Sequence, residues 1–331
     1  MEQLPEHQLQ KLVDKGFLSE AQHQEVKEYK ALGLFSLNTE LLFLLYLSVL
    51  LFTGGVGTLI YKNIDSIGHM AILAANFVLM LVCFYFSFKK AKGFSRKEVF
   101  FDAPMYDYLV LTGSLLATIF VGYLQFQYGV FGADFSLVSL ISAVLCFAVA
   151  YYFDNRTVLS MAITSLIAFA GISLTPQTVF QNEIYSNPNL VYFGILIGIV
   201  LMLWTLYSLK ENLKAHFYFV YYTFAQHLLG ICAIAGLIAE YWYGYLPVLA
   251  GSTWFFYRAG HQHNATSLFV FSLLYGYIGF TIFVIRVLDS FSITDFITPL
   301  IYLSPIYVVF SIVLFIRAVR NFNKAKHAGV Q

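Results

Sequence analysis

The residues that could do chemistry in this chain are few, and most stand inside apolar stretches. His227 is the deepest of them, in the run Tyr222-Thr223-Phe224-Ala225-Gln226-His227-Leu228. An ionisable group is costly to hold in hydrocarbon, so such a residue marks a site by default. The chemistry it offers is proton coupling, or recognition of a polar substrate from inside a helix bundle. The plainer alternative is a hydrogen bond that ties two helices together. Gln226 is adjacent but about 100° round a helix, so the pair is not expected to share one face. Asn76 stands midway along another apolar stretch, placed to touch a ligand or a neighbouring helix. Glu240 and Arg286 fall near the ends of two further stretches. They could pair across a vestibule, or reach separately to lipid headgroups.

The densest positive run is Lys89, Lys90, Lys92, Arg96 and Lys97. Anionic lipid headgroups suit it, at about 1 kcal/mol per basic residue near a membrane surface. A run that only sets topology would look the same. Arg258, His261 and His263 lie in RAGHQHN, which is expected to be a solvated loop. Two His with no Cys or carboxylate beside them make a weak metal signal. Cys83, Cys146 and Cys232 sit on three different apolar stretches with no CxxC spacing, so neither a zinc site nor a disulfide framework is expected. Asp107 and Glu40 stand at helix starts, where a carboxylate complements the helix dipole. HExxH, P-loop, GxSxG and GxGxxG patterns are missing, and no cofactor signature is present.

The elements that must carry these residues follow from composition. Of 331 residues, 59% are hydrophobic and 11% charged. Soluble domains run near 25% charged, so this chain could not cover a water-facing surface. Apolar stretches fall near 40–61, 68–88, 106–125, 135–153, 157–174, 190–209, 217–238, 241–258, 265–286 and 297–317. Each is about long enough to cross a hydrocarbon core of ~30 Å. The expected fold is therefore all-α, a polytopic bundle of about ten spanning helices over 36–331. The stretch 241–258 is short, aromatic-rich and broken by Pro247. Pro299 and Pro305 suggest kinks in the last helix. Gly54, Gly55 and Gly57, and the GxxxG of Gly194 and Gly198, predict close helix packing.

Residues 1–35 are polar. Pro5 and Gly16 bracket one short helix, and Ser19 with Gln22 reads as a capping box for a second. The pair makes a cytoplasmic amphipathic hairpin too small to hold a core alone. No cleavable signal is visible, so the first spanning helix is expected to direct insertion. With both termini cytoplasmic, 17 of the 19 Lys and Arg fall on the inner side. Only Lys62 and Arg286 fall outside.

The opening LQKLVDKGFLSEAQHQEVKEY at 9–29, the Gly54-Gly55-Val56-Gly57 helix and Tyr61-Lys62-Asn63-Ile64-Asp65 resemble the membrane-protein family DUF2157. Ile64 stands where that family usually has Trp. The resemblance covers about 5–150 and implies a bacterial membrane protein. The family has no assigned activity, so it implies no mechanism.

Two functions fit. One is a transporter or carrier of a small solute or lipid, in a bacterial cytoplasmic membrane. The alternative is a non-catalytic sensor or assembly partner acting through the hairpin. No feature points to an enzyme; Glu183 is the lone ionisable group of the longest outer loop, 175–189. The expected partners are the bilayer and a protein at the hairpin, with no nucleic acid.

Overall fold

The computed structural model describes residues 68–101, 103, 105–132, 135–174, 188–239, 242–290 and 297–328, with 19, 22–24 and scattered positions between 44 and 62. The chain divides into two compact units, Met1–His69 and Met70–Gln331. In the first unit the capping box forms. The Gln22 amide donates to Ser19 Oγ at 3.3 Å, and the Gln22 side-chain oxygen accepts from the Ser19 amide at 3.0 Å. The rest of the hairpin, Glu40, and most of the stretch 40–61 lie outside the described residues. A Cβ added at Gly54 or Gly55 would meet no described atom within 4 Å, so the close packing expected of them is not seen among the described residues.

The second unit is helical throughout its described elements: α1 His69–Lys90, α2 Met105–Tyr128, α3 Ser136–Phe153, α4 Arg156–Leu174, α5 Pro188–Lys210, α6 Tyr218–Ile238, α7 Leu246–Gln262, α8 Thr266–Ser290 and α9 Ile297–Ala328. These coincide with the expected spans within a few residues, save two. The eighth stretch begins as a 3-10 turn, Trp242–Tyr245, and α7 starts only at Leu246. Pro247 does not break it. It occupies the first turn, where its missing N–H costs nothing. The last helix continues to Ala328, well past 317. Among the described residues eight helices are long and apolar enough to cross a membrane. The 17-residue α7 is not among them, since it reaches about 25 Å.

Packing is by antiparallel neighbours, with α3 on α4, α5 on α6 and α7 on α8. Helix α6 is the axis and also touches α4, α7 and α8. Half of its apolar window is buried inside the protein, against 6% for α9. Gly194 and Gly198 let α5 approach it closely. A Cβ on Gly198 would lie 2.7 Å from Leu229, and one on Gly194 would collide with the Cys232 sulfur.

The turns between α1 and α2, α3 and α4, α5 and α6, and α7 and α8 gather at one end of this unit. Asp154 meets both Val99 and Lys214, and His263 stacks on Tyr218 with centroids 4.4 Å apart. Of the Lys and Arg described from α1 onward, all but Arg286 lie at or near this basic end.

Candidate functional site

Gln226 and His227 both grip α8. The Gln226 amide donates to the Leu268 carbonyl at 2.8 Å, and His227 Nδ1 lies 2.7 Å from the Tyr275 hydroxyl. Leu268 and Tyr275 are seven residues apart, two turns along one face of α8. The sequence reading, that the two do not share one face, does not keep them from one partner helix. They reach the same partner at two levels. Phe271 closes against the imidazole edge-on at 4.6 Å. Gly230 makes the arrangement fit, because a Cβ there would stand 2.6 Å from the Tyr275 ring. The Gln226 oxygen is buried and has no hydrogen-bond donor.

The other expected site residues do not converge on this pair. Arg286 donates through Nε to the Leu237 carbonyl at 3.2 Å and through Nη2 to that of Ile238. It thus neutralises the negative end of α6. Its imagined partner Glu240 lies outside the described residues. Asn76 is on α1, with its side-chain oxygen buried and without a donor. Arg258 and His261 belong to the last turns of α7, not to a loop. Arg258 stacks on Trp254 at 5.0 Å, and His261 packs edge-on against Phe322 of α9 at 5.0 Å. His263 faces Tyr218 instead, so the two histidines do not meet. Among the described residues no group of three His, Cys, Asp or Glu could hold a metal. Lys89, Lys90, Lys92, Arg96 and Lys97 are all exposed.

The most polar buried cluster is one that the sequence did not single out. Helix α3 ends on Asp154, whose backbone is left-handed at φ 63°. Asp tolerates that region better than most residues. Asn155 then caps α4, its oxygen accepting from the amides of Thr157 and Val158, each at 3.0 Å. This turn aims Asp154 inward, with 1% of its side chain exposed. Its carboxylate accepts from the Val99 amide at 2.6 Å and contacts His216 Nε2. The Lys214 ammonium lies 3.1 Å away and is equally buried. That ammonium is paired by charge but not aligned for a hydrogen bond, and it sits over the Phe94 ring at 5.5 Å. One turn along α3, the Tyr151 hydroxyl meets that of Tyr221 at 2.9 Å and accepts from the Trp204 indole at 2.9 Å. A signal for the cluster exists in the sequence. Lys214 precedes the N-terminus of α6, where the dipole disfavours a cation. Such placement calls for an acid from elsewhere in the chain.

Two lateral grooves flank α8. Between α8 and α9, two ring stacks join the helices, Phe269 on Phe322 at 4.4 Å near the basic end and Tyr277 on Tyr307 at 5.6 Å at mid-helix. Between the stacks a groove of about 430 Å³ opens, lined by Leu273, Leu274, Ile312, Leu314 and Phe315 with Ser311 as a polar point. Between α7 and α8 a second, of about 320 Å³, runs past Thr253, Trp254 and Tyr257. Arg317 and Arg320 follow the first groove along α9, and Arg258 borders the second.

Residues 10–159 match the family described as a predicted membrane protein, DUF2157. That agrees with the resemblance carried by the opening segment and extends it through α3 to the first residues of α4. No curated protein and no solved structure matches the chain.

Proposed function

We propose that this multi-pass membrane protein is a carrier for an anionic lipid, which it takes from the bilayer into the groove between α8 and α9. The observation that carries the reading is the shape of that groove. Helices α8 and α9 are joined by two stacked ring pairs, one near the basic end and one at mid-helix, with an apolar groove between them that opens to the side. A volume of about 430 Å³ suits an elongated apolar ligand. Arg317 and Arg320, exposed on α9 beside it, favour a negative headgroup. In this reading the basic end faces the cytoplasm of a bacterial cell, as the placement of Lys and Arg favours.

Purified protein should retain phosphatidylglycerol in native mass spectrometry, in preference to phosphatidylcholine. In proteoliposomes it should accelerate movement of a labelled anionic lipid between leaflets. Ser311→Trp fills the groove and should reduce both. Retention and movement no greater than those of Ser311→Trp, or movement no faster than in protein-free vesicles, defeats the proposal.

A further inference from the structure

Residues 91–101 lie between α1 and α2 across the basic end, held by two backbone hydrogen bonds and one side-chain ion pair. The Lys214 amide donates to the Arg96 carbonyl at 2.8 Å, the Val99 amide donates to Asp154 at 2.6 Å, and Glu98 pairs with Arg156. Phe101 adds a stack on Phe153 at 6.2 Å. A run of Lys and Arg that served only to set topology would need no such anchoring. Here the chain places a buried ion pair, Asp154 with Lys214, and the imidazole of His216 under the segment to hold it, although burying charge is expensive.

The anchoring sorts the charges. Glu98 is the only acid from Lys89 to Phe101, and Arg156 on α4 neutralises it. Lys89, Lys90, Lys92, Arg96 and Lys97 are left on the surface. Phe94 and Phe100 stand among them, 55% and 68% exposed. Just before them, α1 presents Tyr85, Phe86 and Phe88 on its exposed side. Cations interleaved with rings, directly beyond an apolar helix, match the layer where headgroups meet hydrocarbon.

We infer that residues 89–101 form a fixed strap that seats on the headgroups of anionic phospholipids. The cations meet the phosphates, and Phe94 and Phe100 enter the interface. The buried Asp154 trio keeps the strap in the bilayer plane, and is a positioning device that touches no lipid.

The test uses the full chain in nanodiscs of phosphatidylcholine alone or with phosphatidylglycerol added. Amide hydrogen exchange over 91–101 and the emission of a Phe100→Trp variant are followed. Phosphatidylglycerol should slow the exchange and shift the emission to the blue, and salt should reverse both. Each neutralised cation should weaken the lipid preference about fivefold. A variant with Lys89, Lys90, Arg96 and Lys97 changed to Gln should lose the response while its thermal unfolding stays unchanged. Asp154→Asn should speed strap exchange in both lipids. Exchange indifferent to phosphatidylglycerol, or a response that survives the four Gln changes, overturns the assignment. An Asp154→Asn protein with normal strap exchange overturns the positioning role. None of these readouts depends on Ser311 or the α8–α9 groove, so the strap and the carrier can fail separately.

Discussion

The Gln226–His227 pair and the Asp154 trio are both polar groups within the helical unit, yet they are held in opposite ways. The first joins two neighbouring helices, α6 and α8, by neutral hydrogen bonds to Leu268 and Tyr275. Its partners are groups that the apolar interior already contains. The second brings a carboxylate, an ammonium and an imidazole together from turns some 60 residues apart, and none of these is at home out of water. Neutral polar glue between membrane helices contributes little, because the separated helices also find partners. A buried ion pair is different. It adds little net stability when whole, but losing one partner leaves a bare charge behind. The similar burial of Gln226 and Asp154 therefore predicts very different sensitivities.

The largest effect should come from Asp154→Asn. Asn tolerates the left-handed backbone and keeps an oxygen for the Val99 amide, so the change removes charge and little else. It strands the Lys214 ammonium in a site with 1% exposure. Unfolding in mild detergent should show a loss of about 3–5 kcal/mol. The double variant Asp154→Asn with Lys214→Met removes both charges and should recover most of that loss. If the single change costs no more than Gln226→Leu, the contrast between the two regions is wrong.

Smaller losses should mark the mid-bundle pair. Gln226→Leu and Tyr275→Phe each remove one neutral hydrogen bond and should cost about 1 kcal/mol or less. Gly230→Ala sharpens the point. Its new methyl would stand 2.6 Å from the Tyr275 ring, so it must push that ring off His227. Overpacking of this kind costs about 1–3 kcal/mol. Gly230→Ala should thus be worse than Tyr275→Phe, which removes the hydroxyl but leaves the ring in place. The reverse order would mean that the hydrogen bond, and not the fit of the ring, holds α6 to α8.

The helices are legible because their signal is local. Apolar runs of spanning length, the acid in the first turn of α2 and the Ser19–Gln22 box each lie within one stretch of sequence. Pro247 misleads because position inside a stretch matters more than presence. One turn of 3-10 helix before Leu246 converts a breaker into a helix start. The site is legible only where a single residue type stands out, as His227 does among Phe, Leu and Ala. Arg286 and Lys214 show the limit. Both look like ordinary cations at a membrane boundary. What distinguishes them is a partner 48 or more residues away, the α6 carbonyls for one and Asp154 for the other.

The smallest effect concerns His263, which turns toward the bundle end and stacks on Tyr218. Burial pulls its pKa below the ordinary value, because the imidazolium is harder to hold there. The unfolded chain therefore takes up a proton at a pH where the folded protein still resists it. The stability that neutral His263 contributes is whole above its ordinary pKa of about 6.5. It is lost as pH falls from there toward the lowered folded value, and is then constant. Thermal unfolding should show a shallow decline over that window, and His263→Phe should flatten it while keeping the stack on Tyr218. A decline of equal depth in the His263→Phe protein would show that His263 is not the group behind it.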